Sequence, residues 1–254
     1  MLNIHLVPCL KDNYAYLVHE PQSGAVAIVD PSEAKPVLAA LATHGLKLTH
    51  IFNTHHHWDH TGGNLELKQQ TGAKVTGAKH DADRIPGIDV GVAEGDTVEL
   101  GNAHAKILDI PAHTKAHIAF WFGSDDAVFT GDTMFAMGCG RLFEGTPAQM
   151  WTSLNKLAAL PGETRIYCGH EYTLSNAKFA VTVEPNNKAL RARLAAVERL
   201  RATSQPTIPS TIAEERETNP FLRAASRDLR AALGMADASD VDVFAETRRR
   251  KDSF

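Results

Sequence analysis

Cysteine is scarce. Cys9, Cys139 and Cys168 are the only three in 254 residues, odd in number and far apart. That excludes a disulfide framework and any zinc knuckle built on paired thiolates, so the three read as free thiols. Apolar runs of about 18 residues, the length needed to cross a bilayer, are missing as well. The N-terminal stretch MLNIHLVPCLKDNYAYLV has no basic start followed by an apolar segment. Neither a membrane span nor a secretory signal is expected, and a cytoplasmic protein is. An excess of one charge is also lacking, the formal net charge being -4. No global field invites nucleic acid or an anionic membrane as partner, and any anion must be met locally. Repeats and low-complexity tracts are absent. What remains is an ordinary composition, 43% hydrophobic, sufficient for one large domain or a domain plus a smaller module.

Up to residue 173, short runs of Val, Ile and aromatic residues recur between turn signals. Ala15 to Val18, Ala25 to Asp30, Thr49 to Thr54, His104 to Ile110, His117 to Phe122, Ala127 to Asp132 and Thr164 to His170 read as strands. Helical segments interrupt them. One carries Val37, Leu38 and Leu41 on a face and ends at Gly45; a second ends at Gly72; a third starts from Thr146 as N-cap with Pro147 behind it and stops at Pro161. After Tyr172 strand signals vanish. Leu190, Leu194, Val197 and Leu200 fall at helical spacing, SRDLRAALG repeats the pattern briefly, and SDVDVFAETRRRKDSF ends in another helix. The expectation is a mixed α/β domain over residues 1–173 and a helical module over 174–254.

Histidine, by contrast, is plentiful, and four of the thirteen lie in NTHHHWDHTGG, residues 53–63. The cluster follows a strand, and other donors do the same: His113 follows KILDIPA, Asp132 follows AVFTG, His170 follows RIYCG. Four strands thus deliver a nitrogen or carboxylate just past their ends, which is how a scaffold collects one site from distant sequence. In an extended segment His55, His57 and Asp59 face one way, and His56 and Trp58 the other. His60 joins the first group if the chain bends, and Thr61, Gly62 and Gly63 make a bend credible.

The donors His55, His57, Asp59, His60, His113, Asp132 and His170 exceed the three or four protein ligands usual for one zinc. Two ions fit: His55, His57 and His113 on one, Asp59, His60 and His170 on the other, and Asp132 bridging. Imidazole and carboxylate without thiolate suit zinc, and also iron or manganese. The remaining histidines, His5, His19, His44, His50, His80 and His104, read as surface or core residues. His56 reads the same way, and His117 is either that or a support for a ligand. Asp30 either caps the turn at Pro31 or buttresses a ligand histidine.

THHHWDH followed in order by AHT, TGDT and CGHEYT resembles the signature of the metallo-β-lactamase superfamily. DNYAYLV, VDP, GCGRLFEGT, EPNN, ETNPFLR and RRRKDSF extend the resemblance to the hydroxyacylglutathione hydrolase (glyoxalase II) family along essentially the whole chain. The resemblance implies a four-layer αββα sandwich over residues 1–173 with a binuclear site at one edge, and a C-terminal helical domain that helps bind glutathione. It assigns the ligands as above and implies glutathione contacts at Arg141, Phe143, Tyr172, Arg248 and Lys251. Relatives often carry tyrosine where Phe143 stands, which removes a hydroxyl, and glycine where Ala116 stands.

The implied activity is hydrolysis of S-(2-hydroxyacyl)glutathione thioesters, chiefly S-D-lactoylglutathione, to glutathione and D-lactate, the second step of methylglyoxal detoxification. Metal binding lowers the pKa of water from about 15.7 to about 7, so a hydroxide nucleophile exists near neutrality, with Asp59 and Asp132 as the carboxylates at the reacting centre. A thiolate leaving group, with a thiol pKa of about 8.5, departs without a strong general acid. The rivals are a mononuclear-iron glutathione persulfide dioxygenase and a noncatalytic metal-binding protein. The expected partner is the small thioester alone, and a monomer is expected.

Overall fold

In the computed structural model, which describes residues 1–254, contacts divide the chain into two units. The first is Met1–Asp109 with Ala116–Gly131, and the second is Ile110–Lys115 with Asp132–Phe254. Residues 110–115 and everything from Asp132 onward therefore group with the helices, although the change of sequence texture comes near residue 173. Texture follows local periodicity, whereas units follow packing.

The first unit runs β1 (Asn3–Cys9), β2 (Asn13–Glu20), β3 (Ala25–Val29), α1 (Ala34–His44), β4 (His50–Phe52), α2 (Trp58–Thr61), α3 (Asn64–Thr71), β5 (Lys74–Ala78), β6 (Ile88–Val92), β7 (Thr97–Leu100), β8 (Ala103–Asp109), β9 (Ile118–Phe122) and β10 (Ala127–Gly131). One sheet has the order β1-β2-β3-β4-β5-β6, antiparallel at its start and parallel from β3 on. The parallel pairs need crossovers, which α1 supplies between β3 and β4 and α3 between β4 and β5, while β5 and β6 are joined by a short connection holding one 3-10 turn, Lys79–Asp81. β10, β9, β8 and β7 form an antiparallel meander.

Period-two alternation decides what each strand buries. Ala15 and Leu17 of β2, Val26 and Ile28 of β3 and Ile51 of β4 pack with Val37 and Leu41 of α1 and Leu67 of α3. Their alternates turn to the meander, where Phe52 stacks on Phe120 at 4.9 Å between ring centroids and Tyr16 lies 5.6 Å from Phe129. With both faces covered, β2, β3 and β4 are near-continuous apolar runs. Each fully buried aromatic contributes roughly 1.5–3 kcal/mol over its exposed state. The helix expected to end at Gly45 does so, that glycine taking φ +64.

The second unit runs β11 (Met134–Phe135), β12 (Gly138–Cys139), α4 (Pro147–Ala158), β13 (Arg165–Cys168), α5 (Thr173–Val183), α6 (Lys188–Ala202), β14 (Ser210–Thr211), α7 (Ile212–Thr218), α8 (Arg227–Leu233) and α9 (Asp240–Asp252). α4 opens on a capping box in which Thr146 and Gln149 satisfy each other's backbone donors. α6, α8 and α9 start at the side-chain caps Asn187, Ser226 and Ser239. Leu190 and Val197 are buried with Leu194 packed against them, but Leu200 is 40% exposed, outside the face its spacing suggested. Strand signals were expected to stop at Tyr172. One strand lies beyond it, β14, antiparallel to β13. Two residues carry no local periodicity, and pairing alone makes them a strand. No helix is long and apolar enough to cross a membrane.

Candidate metal centre and substrate contacts

Chain geometry after β4 sets the first group of donors. Asp30, at the end of β3 with φ +49, accepts hydrogen bonds from the Thr54 N–H at 2.8 Å and the Thr54 hydroxyl at 2.6 Å. Its Oδ2 also lies 3.1 Å from His60 Nδ1. Of the two roles open to Asp30, the structure selects the buttress. A carboxylate there holds the imidazole proton on Nδ1 and leaves Nε2 as the lone-pair nitrogen. His55 is handled similarly, its Nδ1 lying 3.0 Å from Thr54 Oγ1. Its ring is stacked on His117, centroids 4.6 Å apart and planes 18° apart, so His117 supports a candidate ligand.

The bend expected at His60 is the single turn of α2. His55 Nε2 and His57 Nδ1 lie 3.1 Å apart, and His60 Nε2 is 3.7 Å from Asp59 Oδ2. Asp59 is steadied by Asn13, whose amide donates to its backbone oxygen and to Oδ2 at 3.0 and 3.1 Å, and by the Ser32 hydroxyl. Gly62 and Gly63 follow because the chain passes the Pro31–Glu33 turn too closely for a side chain. A Cβ at Gly62 would lie 2.6 Å from Ser32 O, and one at Gly63 2.9 Å from Pro31 O. His56 points away, as alternation requires. Asp81 accepts from its Nδ1 at 3.1 Å and Arg84 donates to its Nε2 at 3.0 Å. Trp58 is exposed.

The second unit holds the other candidate ligands. Asp132 Oδ2 is 3.5 Å from His113 Nε2 and 3.3 Å from His170 Nε2. His113 Nδ1 donates to Arg141 O at 2.9 Å, and His170 lies flat on Tyr172, 4.6 Å between centroids. Gly140 is forced by closeness, since a Cβ would fall 1.9 Å from Asp132 O and 3.0 Å from His113 Nδ1.

These donors suit divalent cations. Nδ1 of His55, His60 and His113 each meets an oxygen, so on these three rings Nε2 is the nitrogen that could present a lone pair to a cation. The 3.1 Å between the His55 and His57 nitrogens is close to the edge of a tetrahedron with Zn–N arms of about 2.0–2.1 Å. Thiolates take no part. Burial raises Cys168 to about 12 and Cys139 and Cys9 to about 11, so all three remain thiols.

The residues expected to meet glutathione are placed unequally. Arg141 and Phe143 are well exposed, and the Phe143 ring lies 5.2 Å from that of His113. Tyr172 is partly exposed over His170. Lys251 Nζ donates to Ser175 Oγ at 3.0 Å and sits over the rings of Phe179 and Phe254. Burial first, then Arg248 and Arg141, hold it below the ordinary 10.5. Arg248 is 95% buried: its guanidinium donates to Cys139 O and to Asp252, both at 2.8 Å, and lies over Phe221. It braces the segment leading to Arg141 from inside. Arg249 and Arg250 pair with Glu246.

Sequence reasoning missed Asn13, Thr54, Asp81 and Arg84. A signal existed for Asn13, which opens β2 inside DNYAYLV.

Residues 11–170 match the metallo-beta-lactamase superfamily and residues 171–254 match the hydroxyacylglutathione hydrolase C-terminus. Among curated relatives, the hydroxyacylglutathione hydrolase of Methylococcus capsulatus is 58% identical over 254 residues, and that of Rhodospirillum rubrum is 54% identical over 253, in both cases covering 100% of this chain and 99% of the relative. Of solved structures, ETHE1 from Myxococcus xanthus superposes with TM-score 0.67 at 26% identity, covering 100% of this chain and 99% of that one. TTHA1623 in a di-iron-bound form gives 0.62 at 25%, over 85% of this chain and 98% of that one. The fold is that of the metallo-β-lactamases, with sheets and helices followed by a helical C-terminal domain. On donors, fold and full-length similarity together, the chain belongs to the hydroxyacylglutathione hydrolase family of the metallo-β-lactamase superfamily.

Proposed function

We propose that this protein hydrolyses S-(2-hydroxyacyl)glutathione thioesters, chiefly S-D-lactoylglutathione, releasing glutathione and D-lactate. The observation that carries the reading is similarity over the full length, helical tail included, to relatives named for that reaction. His55, His57 and His113 would hold one divalent ion, Asp59, His60 and His170 a second, and Asp132 would bridge them. Zinc is the first choice and iron or manganese the alternatives. When bound, two such ions supply a nucleophilic hydroxide near neutral pH and a Lewis acid for the carbonyl oxygen.

The chain's own residues do the rest. Asp30 and Thr54 fix the rings of His60 and His55 in one tautomer, and Asn13 keeps Asp59 from rotating. Tyr172 and Phe143, against His170 and His113, offer apolar walls for the substrate. Arg141 and Lys251 would meet glutathione carboxylates through charge-assisted hydrogen bonds. Arg248, its ends tied to Cys139 and Asp252, would act on the substrate through the backbone it braces. The thiolate leaves without a strong acid, in keeping with a site that has none to spare. We place the reaction in the cytoplasm and the protein as a monomer.

The deciding experiment is turnover of S-D-lactoylglutathione by purified protein, with metal content measured on the same sample. Thioester cleavage with two ions per chain is expected. Dioxygen uptake with glutathione persulfide, or metal-replete protein without turnover, would replace the reading by one of its rivals.

Lys251 gives a pH prediction. A base held below 10.5 loses its charge at a lower pH than usual. KM for the thioester is therefore expected to be flat near neutrality and to rise with pH as Lys251 deprotonates, kcat changing less. In Lys251→Ala, KM should be raised already at neutral pH and the rise with pH lost. A KM equal to wild type throughout would remove Lys251 from the ligand site.

A further inference from the structure

Asp132 stands two residues ahead of a tight hairpin, β11 and β12, with Thr133 between, and the hairpin's turn places Met137 at φ +54. The far end of that hairpin leads through Gly140 to Arg141. Both ends bear on candidate ligands. Gly140 N–H donates to Thr133 O at 3.2 Å, the Thr133 hydroxyl donates to Ile110 O at 3.0 Å, and Arg141 O accepts from His113 Nδ1 at 2.9 Å. A shift of the hairpin therefore moves Asp132 and turns His113.

Three side chains of the helical segment grip the hairpin. Glu215 Oε2 accepts the Met137 N–H at 2.7 Å. The Asn219 amide donates to Phe135 O at 3.2 Å, Gly138 O at 3.0 Å and Glu215 Oε2 at 3.0 Å. Asn176 donates to Ala136 O at 3.1 Å, and stands so close to Gly138 that a Cβ there would fall 2.4 Å from Nδ2. Glu215 is itself fixed by Ser210 at 2.5 Å and Arg193 at 2.6 Å, and neither Glu215 nor Asn219 is exposed to solvent. Burying a carboxylate and a guanidinium costs several kcal/mol unless geometry is well satisfied. Closing a two-residue turn does not call for that. Holding one backbone position to a few tenths of an ångström does.

We propose that Asn176, Glu215 and Asn219 are positioning residues for Asp132 and His113, so that the helical segment, besides any part in binding glutathione, sets the geometry of the metal ligands. The inference rests on the metal reading above. ETNPFLR, from Glu217 to Arg223, thereby gains a role through Asn219.

The test uses the full chain with Asn219→Asp, which keeps shape but puts a carboxylate against two carbonyls, and Asn176→Ala, a milder change that carries the test where Asn219→Asp does not fold. Metal affinity is read by chelator competition, ligand geometry by the absorption of the Co(II)-substituted protein, and turnover as separate kcat and KM. Affinity for the more weakly held ion is expected to fall about tenfold, the Co(II) bands to shift, and kcat to drop with KM within twofold. Folded variants with wild-type metal affinity and Co(II) spectrum overturn the inference, even if their melting temperature is lower. Wild-type protein that binds no metal overturns the metal reading instead, so the two failures are distinct.

Discussion

Replacing Asp132 with alanine is expected to cost this protein metal and activity together. Asp132 is the one carboxylate with an oxygen facing both His113 Nε2, at 3.5 Å, and His170 Nε2, at 3.3 Å. Two divalent ions held as proposed would bring four positive charges, which Asp59 and Asp132 would offset in part. Without Asp132 half of that offset would be lost. Elemental analysis should find one ion per chain or fewer. Turnover of the thioester should fall by more than about 1,000-fold, equivalent to about 4 kcal/mol of barrier. Asp132→Asn separates charge from size: it should also lose an ion, because an amide oxygen is a weaker ligand. A variant that keeps two ions per chain would contradict the bridging assignment.

Asp30→Ala should have the next largest effect, at a residue assigned to neither ion. Its carboxylate accepts from the Thr54 N–H, the Thr54 hydroxyl and His60 Nδ1, all buried. Each donor left unsatisfied costs about 1–3 kcal/mol. The apoprotein should therefore melt at lower temperature, and released from its partner the His60 ring should bind metal about 10- to 100-fold more weakly. Asp30→Asn is the control. Asparagine tolerates the φ of +49 found here and keeps one acceptor oxygen, so stability should partly return while metal affinity returns less. Chelator competition and thermal melts of apo and metal-loaded protein measure both. An alanine variant with full metal affinity would leave Asp30 a purely structural residue.

Much of this was legible in the chain itself. Local rules put β2, β3, β4, β8, β9, β10 and β13 close to their observed bounds, because buried strands are apolar runs broken by turn residues. Thr146, Gly45 and Gly72 marked helix ends by their own chemistry. β6, IDVGV, did not read as a strand, since it is a mostly exposed edge with glycine inside. α5, TLSNAKFAVTV, did not read as a helix, its β-branched residues obscuring the period that packing against α6 enforces.

The sequence by itself determined which side chains carry metal-donor chemistry, because that belongs to residue type, and alternation along an extended segment already separates His55 and His57 from His56. It also determined the family, through motifs spread from DNYAYLV to RRRKDSF. Only the tertiary structure decided which nitrogen of His60 and of His113 faces a hydrogen-bond partner and which could meet a cation, since that depends on Asp30 and the Arg141 carbonyl, which the fold brings up from elsewhere in the chain. It likewise decided that Arg248 is buried against Cys139 and that Glu215 and Asn219 hold the hairpin after Asp132. Those contacts join residues some 80 to 110 positions apart. Helix and strand periodicities span a few residues, so no pattern within the sequence encodes such pairings.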